Sequence, residues 1–215
     1  MIKIVSDKIE TIFIFQREEF MQIIEPYETI YSIGVLWNIS NEFYREMMRK
    51  IAISNPVIQI RKYEMGDKYI EFVRRCYQED VSEGYLSKKV NRMEKSEVKN
   101  MIVFVVRIDN PEYEFDEVKE KYPCKEIATL KRKIRNEFSD KIDDYFYDVL
   151  LHMSDDMTET NKMKTILSDY EDKVVEEFVR RGYEPYIKSE NRNIRKNHTY
   201  CSALNNLEKK NNYER

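Results

Sequence analysis

Two hydrophobic rhythms alternate along the chain. Apolar residues crowd into short β-type runs at residues 29–36, 57–63, 101–108 and 145–152, and recur at three- and four-residue intervals in the stretches between. The third run, Met-Ile-Val-Phe-Val-Val-Arg-Ile over 101–108, is apolar on both faces, which predicts a strand in the middle of a sheet. Ahead of the first run, residues 9–15 form a further β-rich segment, followed by one or two helical turns over 17–24 that Pro26 ends. After it, Ser40 caps a helix whose apolar positions are Phe43, Met47 and Ile51, and Asn55-Pro56 breaks that helix. Gly66-Asp67 opens another through Ile70, Val73 and Tyr77, and Tyr85, Leu86, Val90 and Met93 fit one or two short helices in the polar stretch 82–99. Asp109-Asn110-Pro111 closes the third run, and two helical patches follow at 115–122 and 127–138 with Pro123 between them. Beyond the fourth run, 158–167 and 171–181 read as helices, the second closed by Gly182 in a C-cap position.

This order predicts an α/β (α+β) sandwich with a mixed or antiparallel sheet and helices on one face. It divides the chain into an N-terminal extension at 1–28, a core at 29–170, and a C-terminal helix with a tail at 171–215. The length of 215 residues suits one domain with extensions.

Composition narrows the function. The chain is 41% hydrophobic, enough for a core, and 36% charged, so most of the charge is a solvated surface. A net charge of -3 leaves no global field for nucleic acid or an anionic membrane. Only the tail departs from this balance. From 187 onward seven basic residues (Lys188, Arg192, Arg195, Lys196, Lys209, Lys210, Arg215) face three acids, and Arg192, Arg195 and Lys196 give it a weak nucleic-acid potential. Gly34, Gly66, Gly84 and Gly182 lie too far apart to form a glycine-rich phosphate loop. Cys76, Cys124 and Cys201 are odd in number and widely spaced, so free thiols in a reducing compartment are expected and a structural zinc site is not. With no apolar leader and no run long enough to span a bilayer, the expectation is a soluble, cytoplasmic protein.

The chain has two histidines, His152 and His198. His152 ends the fourth apolar run, and Ser154-Asp155-Asp156 follows as a turn able to cap the next helix. An imidazole can serve as base or nucleophile near neutral pH. Alone, a strand-end histidine reads as structural.

Together with Ile134-Arg135-Asn136-Glu137-Phe138 upstream, the His-x-Ser-Asp at 152–155 resembles the C-terminal half of nucleoside diphosphate kinases, whose pattern is Ile-Arg-Gly-Asp-Phe, then a strand into His-Gly-Ser-Asp. The similarity spans about residues 29–167, with the strands at 30–36, 57–63 and 101–108 in matching order. It implies a ferredoxin-like βαββαβ fold, homo-oligomers, nucleoside di- and triphosphate substrates with Mg²⁺, and ping-pong transfer through phosphohistidine. It implies His152 as the nucleophile, Ser154 and Asp155 holding its turn, Arg135 on phosphate, and Tyr77 near the base with Tyr85 or Leu86 as its neighbour. Lys119 and Lys121 stand where a second phosphate-binding arginine is expected.

The pattern also departs from the family. The lysine that ends the family's first strand is missing from Val35-Leu36-Trp37-Asn38, and Tyr147-Asp148-Val149 replaces the Arg-Asn before the histidine strand. Because phosphoryl transfer rests on positioned positive charge, these losses set two readings side by side: a divergent phosphotransferase, or a noncatalytic scaffold binding a nucleotide or a protein.

Overall fold

A computed structural model describes residues 29–77, 81–117, 120–143, 145–146, 149–180 and 195–196. The segments at 9–24, Lys119, Asp148, Gly182 and Arg192 lie outside the described residues.

The elements in order are β1 (Thr29–Leu36), α1 (Tyr44–Ser54), β2 (Val57–Glu64), α2 (Tyr69–Tyr77), α3 (Glu83–Glu94), β3 (Asn100–Asp109), α4 (Lys125–Phe138), β4 (Leu151–Met153), α5 (Met157–Ser168), β5 (Val174–Val179) and β6 (Arg195–Lys196). They form an α+β molecule around one sheet of order β4-β1-β3-β2-β5-β6. The first five strands pair antiparallel throughout, and the two-residue β6 joins β5 in parallel. β3 lies inside the sheet, as its two apolar faces require.

Those two faces also correct one expectation, because helices cover both sides of the sheet and not one. Ile33, Val35, Val103 and Val105 pack under α2, α3 and α5, against Phe72, Val73, Leu86, Val90 and Leu167. Leu36, Ile102, Phe104 and Val106 pack under α1 and α4, against Met47, Ile51, Leu130, Ile134 and Phe138. A sheet apolar on both faces must be covered twice, and the segment between β2 and β3 supplies two of the covering helices.

Four local assignments change as well. Residues 171–181 are not a helix: a 3₁₀ turn at Glu171–Lys173 leads into β5. Val174, Val175, Phe178 and Val179 satisfy helical and strand spacing alike, and the free edge of β2 decides for the strand. Around 115–122 the backbone makes paired bridges, Tyr113 with Cys124 and Asp116 with Lys121, where a helical patch is expected. Pro111 and Pro123 bracket this stretch and α4 starts directly after it, at Lys125. Among the described residues of the fourth run the strand is confined to its end and continues to Met153, as Leu151–Met153. Leu150 and Leu151 both face the α1/α4 side, so the two-residue alternation of a strand breaks between them. Ser40 sits inside a 3₁₀ segment (Asn38–Phe43) and its hydroxyl donates to the Trp37 carbonyl at 2.8 Å, instead of capping α1.

Candidate functional site

The turn after β4 is built by short polar side chains. β4 lies antiparallel to β1 with His152 opposite Val35. Ser154 is buried and fastens the turn to β1: its Oγ accepts from the Ile33 amide at 2.9 Å, and its carbonyl accepts from Ser32 Oγ at 2.7 Å. The Ser154 and Thr160 hydroxyls are 2.7 Å apart and share a hydrogen bond. Asp156 caps α5, its carboxylate accepting from the Glu159 amide at 2.8 Å. Glu159 reaches back to accept from the Asp155 amide at 2.7 Å, close to the reciprocal exchange of a capping box. The Ser-Asp-Asp run therefore caps the helix, as its composition suggests. These bonds also give the motif's polar residues a structural use that needs no ligand.

His152 is half-buried and turns toward the α2/α3/α5 face. Its ring meets Tyr77 edge to face, with centroids 5.1 Å apart and planes at 82°. The Tyr77 hydroxyl accepts from Trp37 Nε1 at 3.0 Å, and Lys89 Nζ sits 3.8 Å from the Tyr77 ring centroid. Trp37 lies in the stretch where the resemblance calls for a lysine. The histidine thus has an aromatic wall, with a buried lysine behind it that sequence reasoning missed; the signal was Lys89 on the helix of Leu86, Val90 and Met93. Tyr85, 48% exposed, stacks on Phe146 with centroids 6.2 Å apart and planes at 17°. Lys88 Nζ lies 5.8 Å and 5.9 Å from these two ring centroids.

Arg135 is elsewhere. It belongs to α4, whose Ile127, Leu130, Ile134 and Phe138 share a core with Leu151 and Met153. Residues on a strand alternate between faces, so His152, between Leu151 and Met153, points the opposite way. Arg135 Nη2 donates to the Leu151 carbonyl at 3.3 Å. α4 and the His152 ring therefore lie on opposite faces of the sheet, with the Arg135 guanidinium bound to the backbone of β4, the edge strand.

Lys121 is held by carboxylates. It pairs with Glu159, and its Nζ is 3.8 Å from Asp155 Oδ2 and 3.9 Å from Asp156 Oδ2. Burial lowers its pKa, but the hydrogen bond and charge of Glu159, with Asp155 and Asp156, outweigh this and leave it raised. Asp155, 4% exposed, also pairs with Lys131, one helical turn ahead of Arg135. That i, i+4 spacing on α4 is the sequence signal that would have found Lys131.

Asp155 is thus neutralised by two ammonium groups, which does not fit a role as a Mg²⁺ ligand. Among the described residues no group of three or more His, Cys, Asp or Glu is placed to hold a metal ion. Nor is any described helix long and apolar enough to cross a membrane. No protein-family model matches the sequence, and a search of curated proteins returned no match.

Proposed function

We propose that the chain is a noncatalytic scaffold on the ferredoxin-like fold of nucleoside diphosphate kinases, one that holds a binding partner without transferring phosphate. The strand order β4-β1-β3-β2, with α1 between β1 and β2 and α4 between β3 and β4, supports the fold reading. The functional reading is carried by Arg135, which approaches from the α4 side of the sheet and spends Nη2 on the Leu151 carbonyl, while the His152 ring turns to the other face. A phosphoryl group in transfer needs positive charge converging on it. Here the arginine is bonded to a backbone carbonyl of β4 and Lys121 is occupied by carboxylates. The test is incubation with Mg²⁺ and a γ-labelled nucleoside triphosphate. The wild-type chain and His152→Ala are both expected to stay free of acid-labile, base-stable phosphate. Label on the wild type that disappears in His152→Ala overturns this reading.

One observation favours a second reading, a slow phosphotransferase. His152 is half-buried and not sealed, and Lys89 lies over the same Tyr77 ring that His152 touches. In that case an imidazole nitrogen bonds the γ-phosphorus as the bridging P–O bond breaks, and the nucleoside diphosphate leaves. Label would then form in a single turnover, fall in Lys89→Met and be unaffected in Arg135→Ala.

A further inference from the structure

α1 and α4 lie side by side on one face of the sheet and run in opposite directions. Glu46 pairs with Lys141 at 3.5 Å, Lys50 pairs with Glu137 at 2.5 Å, and Lys133 Nζ reaches Ser54 Oγ at 3.5 Å. These contacts form a polar row along the seam between the two helices. Arg45, Arg49 and Ile53 each stand one position before a residue of that row and line up along α1 at four-residue spacing, all three exposed. On α4, Arg132 and Lys133 are exposed where the row ends, across from the last turn of α1.

Both helices are basic in a chain whose net charge is -3. α1 carries Arg45, Arg49 and Lys50 against Glu46, and α4 carries Lys125, Lys131, Arg132, Lys133 and Arg135 against Glu126 and Glu137. Lys50, Lys125 and Lys131 are spent on carboxylates of the chain itself. Arg45, Arg49, Arg132 and Lys133 form no ion pair among the described residues. Ile53, set among them, is 53% exposed, more open than any other large hydrophobic side chain described.

We propose that the α1/α4 face docks an acidic amphipathic helix of a partner protein, with carboxylates on Arg45, Arg49, Arg132 and Lys133 and an apolar residue on Ile53. A guanidinium fork takes a carboxylate in two hydrogen bonds, and a partner helix repeats its side chains at the same four-residue spacing as Arg45, Arg49 and Ile53. A nucleic acid fits this face less well. Glu42, Glu46 and Glu137 place negative charge in the path of a phosphate backbone. The exposed rings, Tyr85 and Phe115, belong to other segments, so neither helix offers one to stack a base. The inference rests on the scaffold reading and gives its partner a chemistry. Binding is measured without nucleotide, so its failure is separate from a failure in the labelling experiment.

The test uses the full chain and a fluorescein-labelled synthetic peptide of repeated Leu-Glu-Glu-Ala-Leu-Glu-Glu heptads, read by anisotropy at low salt. The wild type is expected to bind it, less tightly as salt is added. Arg49→Glu/Arg132→Glu should weaken binding by about tenfold. The charge-matched Lys68→Glu/Lys95→Glu, at the ends of the helices on the other face, should leave it unchanged. A peptide with lysine in place of each glutamate should prefer the Arg49→Glu/Arg132→Glu variant over the wild type. Ile53→Ser should weaken binding of the acidic peptide several-fold. Absence of binding to the folded wild type overturns the proposal, as does an equal loss in the two charge variants. Unchanged affinity in Ile53→Ser would mean that charge alone is read, and also overturns it. Two further outcomes without peptide binding do the same: single-stranded RNA binding abolished by Arg49→Glu/Arg132→Glu assigns the face to nucleic acid, and self-association abolished by that variant assigns it to a second copy of the chain.

Discussion

Gly34 needs space rather than backbone freedom. It faces Phe104 on β3, and a Cβ built on it would lie 2.1 Å from the ring's Cζ. The ring lies over the bare glycine, so any side chain there collides with a fully buried aromatic. Gly34→Ala should cost about 1–3 kcal/mol as overpacking, read from urea midpoints. Gly34→Ala with Phe104→Leu should cost less than the two changes summed, because the shorter side chain relieves the collision. Cys124 makes a second residue-level case. Burial, with Glu126 accepting from its Sγ at 3.1 Å, pushes its thiol up to about 12. The reactive thiolate is therefore scarce in the folded chain at pH 8, and iodoacetamide should modify Cys124 far more slowly there than in denaturant, as mass spectrometry can follow.

At the scale of elements, Lys121 and Lys131 tie three pieces together: the bridged stretch before α4, α4 itself, and the turn that starts α5. The Lys121 pKa is raised in the fold, so its stabilisation is fully present below the unfolded lysine value near 10.4 and is lost as pH rises through the folded value. Wild-type melting temperature should fall above about pH 10.4, and Lys121→Met, costing about 1 kcal/mol at neutral pH, should flatten that fall. Elements were legible in the sequence where their rhythm had one interpretation. β3 stood out because Met101 to Val106 are six consecutive apolar residues, apolar on both faces, and α1 because Phe43, Met47 and Ile51 recur every four residues with Arg45 and Arg49 between them, which one strand face would mix. β5 did not, since Val-Val-Glu-Glu-Phe-Val fits both periods and only the neighbouring edge of β2 selects one. The candidate site was half legible for a related reason. Tyr77 and His152 stand out in the sequence as residue types, and the fold sets their rings edge to face. Arg135 was matched by motif alone, and a motif carries no information about which face of β4 its helix covers.

For the molecule as a whole, one sheet separates two cores that share β3. The single tryptophan, Trp37, belongs to the α2/α3/α5 side, whereas Phe138 belongs to the other. Phe138→Ala should cost about 3–5 kcal/mol. If the cores melt as one unit, the Trp37 fluorescence midpoint should shift as far as the midpoint from far-UV circular dichroism. A fluorescence transition left in place would mean that the two sides unfold separately.

The strand order also has a consequence for synthesis. β1 is complete at Leu36, but its partners β3 and β4 begin at Asn100 and Leu151. At roughly 5–20 residues per second, the 64 residues (100 − 36) up to β3 take about 3–13 s to emerge. Throughout that interval Ile33-Gly34-Val35-Leu36-Trp37 is an apolar strand with neither neighbour made. A ribosome-bound holding factor would find its natural target there. Any product that stops short of Asn100 keeps both edges of β1 open, and such fragments are expected to aggregate or be degraded instead of accumulating.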